Sequence, residues 1–372
     1  MANSRPSSPE SDSGSPHRCP NCCPDMDFPA PIRWTVHLLD MPPELQSEIY
    51  LHLPNLATVV SLRLTCRQLN DVYKPIDKEV KSLLRDRLVE PFGEYYDLLQ
   101  RLKLPDDSVL HPPPGGWPFF TRENLGFDKT DFAIDVLRHL PYVGGGPSYE
   151  MNIGYKSQSI GYHCSEDSSP ADPTKPLPTY YLEWPEMSME EDRLDTSLDE
   201  KKITGIRHIV VIALGHESGG ITLVLDTFAG IVFEEEVRGD PRSRHSPRKY
   251  CDRRMARLEK LDEIFYPSEE TWELNEWWVD ESDDSDDGYE YDESYVPKPV
   301  KKHDHAAMEA DGEPVPEDIG DEGDKFFWIA YLYHKFGWPG KDYKKHECMQ
   351  AIDEFLGRWQ EAEDNLWDEQ NS

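Results

Sequence analysis

What the chain lacks narrows it first. No run of about 18 apolar residues occurs anywhere, so no segment reads as a transmembrane helix. Cysteine is scarce and irregularly placed, seven in 372 residues, which argues against a disulfide framework and for a reducing compartment. The opening residues, MANSRPSSPESDSGSP, hold no apolar stretch of the kind a secretory signal needs. Positive charge is short too: 39 Lys and Arg face 73 Asp and Glu, a formal net charge of −34. That charge repels phosphate backbones and anionic lipid surfaces, which argues against nucleic acid and membrane as main partners. The expectation is an intracellular, soluble protein of the cytoplasm, the nucleus or both. Only 37% of residues are hydrophobic, so parts of the chain should stay solvated, although its length allows two or three domains.

What is there is organised around Leu38 to Tyr73. Asp40 stands as an N-cap before Pro42 and Pro43, where a first helical turn tolerates proline because its N–H groups lack partners. Leu45, Ile49 and Leu53 then repeat at i, i+4 and i+8 on one helix face. Pro54 ends that helix. A second burst follows with Leu56, Val59, Val60 and Leu64, and a third with Cys66, Leu69 and Tyr73. Three helices this short make little core alone and keep apolar surface for a partner or a neighbouring domain.

These residues closely resemble an F-box. The family pattern is met by Met41-Pro42, Glu44-Leu45, Ile49-Tyr50, Leu53, Leu62, Leu64, Cys66-Arg67, Leu69 and Tyr73, with Met41 standing for Leu and Tyr50 for Phe. The run Arg63-Leu64-Thr65-Cys66-Arg67 is similar to filamentous-fungal members. The match covers about a tenth of the chain. The resemblance implies docking onto the Skp-type adaptor, and through it a cullin, of a ubiquitin ligase. The residues carried into that docking are Pro42, Leu45, Ile49, Tyr50, Leu53, Val59, Leu62 and Leu64, some against the adaptor and some inside the module. The alternative is an ordinary helical hairpin within a larger core.

Residues 1–30 are rich in Ser and Pro and read as a disordered tail. Within it, Cys19, Cys22 and Cys23 with nearby His17 make only half of a zinc site. After the F-box region at 36–75, residues 76–110 read as a helical linker carrying Val80, Leu83, Leu84 and Leu88, which packs the F-box onto the next domain. His111 to Phe120 is a Pro- and Gly-dense loop, and Asp131 to Leu140 a helix ended by Pro141. Gly144 to Gly146 is a turn with no phosphate-loop Lys behind it. Residues 164–178 read as a flexible insertion, and Thr179 to Trp184 as a strand.

The strongest strand signal is the β-branched run Ile203 to Leu214, which suits a strand buried on both faces. A Gly-rich turn follows at 215–220. Then Ile221 to Asp226, the turn Thr227 to Gly230 and Ile231 to Val237 read as a hairpin. This order is similar to the central sheet of SUKH-type (Smi/Knr-like) modules, which are α+β interaction domains. In that family the Gly-rich turn brings strands close together.

Two charge blocks come next. Arg238 to Arg257 is basic; it reads as a solvated loop, a nuclear-import signal or a partner for the acidic run. Pro267 to Asp324 carries 22 acidic residues against three lysines, a net charge of −19 and the composition of a disordered insertion. Order returns with an aromatic helix from Lys325, its face drawn through Phe327, Tyr331, His334 and Trp338, and a second helix from about Lys344 to Trp359. Both are expected to bury against the sheet of 203–237.

No active site assembles from the sequence. His216-Glu217 lacks the second His of a zinc-protease helix, and His303-Asp304-His305 lies inside the acidic run. No G-x-S-x-G elbow occurs. The expected architecture is therefore α+β. An F-box precedes a domain of residues 111–266 plus 325–362 with a small, mainly antiparallel sheet, an insertion at 267–324 and a tail at 363–372. The expected role is a non-catalytic substrate receptor without a cofactor, holding an unidentified protein substrate. The alternatives are a non-ligase scaffold with a SUKH-like domain, and an acidic binder of basic proteins.

Overall fold

The computed structural model describes residues 37–125, 129–143, 152–160, 206–216, 219–236, 241–265, 271–273, 308–310, 312–316 and 322–370. The knuckle-like cysteines, Gly144 to Gly146, residues 161–205, His303 to His305 and most of the acidic run lie outside them. The chain divides into two units, residues 1–42 and 43–372. In the first, the described part is a single 3-10 turn at Leu38–Asp40, and Pro42 at its end is exposed.

In the second unit, Pro43–His52 (α1), Leu56–Thr65 (α2) and Arg67–Tyr73 (α3) follow the punctuation of the sequence. Proline at 43 opens α1, and Pro54 follows its end. Asp77–Leu102 (α4) is 26 residues long and runs straight through Pro91. An interior proline costs a helix roughly 3 kcal/mol. Here Pro91 itself is buried beside Val89, Phe92, Tyr95 and Tyr96, so the apolar surface removed from water offsets that cost. Read as a linker, this segment is instead a central element of the core.

Residues Arg122–Leu125 (α5) form one turn, and Asp131–His139 (α6) a helix whose N-cap Thr130 accepts from the Ala133 N–H at 3.2 Å. Short strands Val109–Leu110 (β1) and Tyr142–Val143 (β2) pair antiparallel. The large sheet is an antiparallel meander of six strands in chain order. They are Asn152–Gly154 (β3), Ser157–Ser159 (β4), Ile209–Gly215 (β5), Ile221–Asp226 (β6), Ile231–Glu236 (β7) and Pro241–His245 (β8). The β6–β7 hairpin falls where the sequence put it, with Asp226 opposite Ile231 across the turn 227–230. Ile209 to Ala213 are all buried, as a two-face-buried strand requires. In the Gly-rich turn, a Cβ on Gly220 would lie 2.3 Å from the His216 carbonyl oxygen, so only glycine fits that approach.

The described residues of the basic block, from 241 on, are not a loop. After β8 they form Pro247–Lys260 (α7), which buries Tyr250, Cys251, Arg254 and Leu258. Helix α4 lies between α6 and α7; α6 meets β5, while α7 meets β7 and β8. The mixed α+β class is therefore realised as a helical layer against an antiparallel sheet.

Pieces of the acidic run are also ordered. Thr271–Glu273 (β10) pairs with Glu263–Phe265 (β9), and Glu313 forms a two-pronged ion pair with Arg358 at 2.6 and 2.7 Å.

The C-terminal helices, Glu322–Lys335 (α8) and Lys345–Gln370 (α9), depart from expectation in two ways. Helix α9 continues to Gln370, through the stretch read as a tail. Among the described residues the pair docks on the ends of α4 and α7 and on β9, where the sequence reading placed it on the large sheet. Tyr333 donates to the Phe265 carbonyl at 2.9 Å, Trp338 to that of Leu258 at 3.0 Å and Tyr343 to that of Leu102 at 3.1 Å. The buried residues of α8 include Phe326, Trp328, Ile329, Tyr331, Leu332 and Tyr333; of the face expected from the sequence, Tyr331 and Trp338 are buried, while Phe327 and His334 are half-buried.

Candidate functional site

The three-helix segment 43–73 has a filled interior of its own. Tyr50 is fully buried, packs at a tilt against Tyr73 with ring centroids 5.2 Å apart, and donates its hydroxyl to the Leu69 carbonyl at 3.1 Å. Val59, Leu56 and Leu69 are buried as well. Asn55 starts α2 by accepting from the Thr58 N–H at 2.9 Å. Cys66 then holds extended backbone, φ −157° and ψ 163°, which turns the chain sharply into α3. Burial drives the Tyr73 phenol far above its ordinary range, Asp77 adds to this, and the Arg63 guanidinium 5.3 Å from the ring opposes it.

Of the eight residues the F-box resemblance selects, two face inward. Tyr50 and Val59 are 0% exposed and hold the helices together, so neither presents surface to a partner. Leu45 and Leu64 stand out at 50% and 70% exposure, while Ile49, Leu53 and Leu62 are half-buried. Pro42 is exposed in the other unit.

Between α1 and α3 lies an open groove of about 660 Å³. Pro43 and Ser47 form one wall, Arg67, Gln68, Asp71 and Val72 the other, and Pro75 closes it. Apart from Arg67, the family pattern does not select these positions. The signal available was the spacing of Arg67, Gln68, Asp71 and Val72, which share one face of a short helix.

The segment is fastened to the α+β body at two places. Arg87 of α4 donates to the carbonyls of Leu51 and Leu53, each at 2.8 Å, satisfying the free C-terminal end of α1. Ala57 at the start of α2 donates to the Phe228 carbonyl in the β6–β7 turn at 2.9 Å. There Gly230, at φ +69°, leaves room where a Cβ would come within 2.9 Å of the Asn55 Cβ. Residues 43–75 are thus one with the sheet-bearing body.

Elsewhere, His216 Nε2 lies 3.4 Å from the Asn152 Oδ1 beside the Gly-rich turn. His208 packs on Phe228 with ring centroids 4.9 Å apart. Among the described residues no group of three or more His, Cys, Asp or Glu converges as a metal site, and no helix is long and apolar enough to cross a membrane.

No family model matches this chain, and no curated protein or solved structure matches it either.

Proposed function

We propose that the chain is a substrate receptor of an Skp–cullin–F-box ubiquitin ligase. The observation that supports this most is Leu45 and Leu64, large aliphatic side chains left in solvent on helices whose interior is already filled. In this reading they, with the exposed parts of Ile49, Leu53 and Leu62, bury against the Skp-type adaptor. The α+β body holds a protein substrate, and tethering raises the substrate's effective concentration near a ubiquitin-charged enzyme without supplying chemistry. The test is co-expression with a Skp-type adaptor followed by size-exclusion chromatography. The expected result is a one-to-one complex that disappears with Leu45→Asp while the melting temperature of the chain stays unchanged. Two well-behaved proteins eluting apart would sink the proposal.

A second reading is favoured by the bond from Ala57 to Phe228 and by the Arg87 clamp, which make the helices an integral wall of the body. In it the chain is a non-ligase scaffold whose SUKH-like body binds partners, and the helices are packing elements. A receptor predicts a partner whose half-life lengthens on deletion of the chain. A scaffold predicts co-purifying partners with unchanged lifetime.

A further inference from the structure

The turn from β8 into α7 carries a feature that neither reading uses. Ser246 sits there exposed, in extended backbone with φ −63° and ψ 150°. Its oxygen caps α7 by accepting from the Lys249 N–H at 3.3 Å, at the long end of the hydrogen-bond range. The next residues are Pro247, Arg248 and an exposed Lys249. Strand β8 is the outermost of the six, so the backbone leading into Ser246 is extended, and among the described residues its outer edge is unpaired. An exposed serine in extended chain, followed by proline and then by a cation three residues on, is the form of substrate that proline-directed protein kinases take up.

We infer that Ser246 is a phosphoacceptor for a kinase of that class. The Ser246 Oγ attacks the γ-phosphorus of a nucleoside triphosphate, and an Oγ–P bond forms as the bond to the β-phosphate oxygen breaks. The diphosphate leaves with that electron pair, and the hydroxyl proton passes to the kinase's carboxylate base. Pro247 is buried, so the first turn of α7 must open for the transfer; helix ends open at little cost.

The product is well placed to persist and to act. It puts close to two negative charges at the start of a 14-residue helix, beside exposed Arg244. Arg248, two residues away, now holds Glu94 of α4 at 2.5 and 2.8 Å and Asp252 at 3.3 Å. A phosphate there competes with both carboxylates for that guanidinium, so the modification bears on the α4–α7 junction.

The test uses the intact chain, a purified cyclin-dependent kinase and ATP, with phosphopeptides read by mass spectrometry. Ser8, Ser15 and Ser169 are also followed by proline and act as internal comparisons. The expected result is phosphate on Ser246 that is lost in Ser246→Asn, with the other sites unaltered. Asparagine keeps a good helix cap but offers no hydroxyl, so the variant stays folded. Phosphate at the comparison serines but not at Ser246, while a peptide of residues 241–254 accepts it, would show that the folded turn hides the serine and overturn the inference. A peptide that is itself refused would overturn it as well.

Discussion

Glu263 of β9 has no exposed side-chain surface, and Arg254 of α7, which donates to it, has 10%. Both charges lie close enough to Tyr95 to act on its phenol, and that of Arg254 acts on Tyr250 as well. Exposed ion pairs contribute little, but a buried charge stripped of its partner has neither water nor counter-charge. Glu263→Gln keeps the shape of the side chain and takes its negative charge away from the buried Arg254 guanidinium. The expected loss is about 3–5 kcal/mol, the range for breaking one side of a buried pair. At roughly 2–4 °C per kcal/mol for a body of this size, that lowers the melting temperature by on the order of 10 °C. The double variant Arg254→Met/Glu263→Leu removes both charges and should recover most of the loss, because apolar groups need no pairing. Urea unfolding followed by tryptophan fluorescence, on the wild type, Arg254→Met, Glu263→Leu and the double, gives the coupling directly, with Glu263→Gln measured beside them. A Glu263→Gln loss below about 1 kcal/mol, or a double variant as unstable as the two single losses added, would refute this account of the pair.

Gly230→Ala should destabilise the chain by about 1–2 kcal/mol from its left-handed backbone alone, and more from the contact with Asn55; an unchanged urea midpoint would contradict the close helix–sheet junction at that turn. Burial pushes the Cys348 thiol up to about 12 and that of Cys251 higher still, so in the native chain both should resist a thiol reagent that reaches half-buried Cys66, and should react only with unfolding. Rapid native-state labelling of either, located by peptide mass spectrometry, would count against the packing. Burial first, then Arg207 and Lys129, hold the His208 imidazole below its ordinary 6.5 against the pull of Asp226. The unfolded chain therefore takes a proton near pH 6.5 that the native state refuses, and stability should fall as pH drops below that point. His208→Gln should remove this part of the pH dependence, and urea midpoints at about pH 7.5 and 5.5 that shift equally in variant and wild type would exclude it.

Local chemistry was enough for several elements. Prolines at 43 and 54 bracket α1, β-branched runs mark β5 to β7, and Gly230 marks the hairpin turn, because proline geometry, strand propensity and left-handed backbone are properties of one or a few neighbouring residues. The outward faces of the helical segment were only half legible. Periodicity groups Leu45 with Ile49 and Val59 with its neighbours, but which group meets the body depends on Arg87 and the 227–230 turn, far away in the chain. Helix α7 was hidden because its buried side includes Arg254, and a charge can enter a core only beside a partner, here Glu263, that no local pattern announces. The C-terminal helices advertised a large aromatic surface without an address. Their docking on the ends of α4 and α7 is fixed by carbonyls there: that of Leu102 accepts from Tyr343, and that of Leu258, which also accepts from the Leu261 N–H, takes a second donor in Trp338. The sequence by itself determined α1 to α3, α6, the run of β5 to β7 and the cores of the two C-terminal helices, and how apolar their faces would be. Only the tertiary structure decided which faces meet, because a buried charge or an open helix end is satisfied by whatever the fold brings beside it.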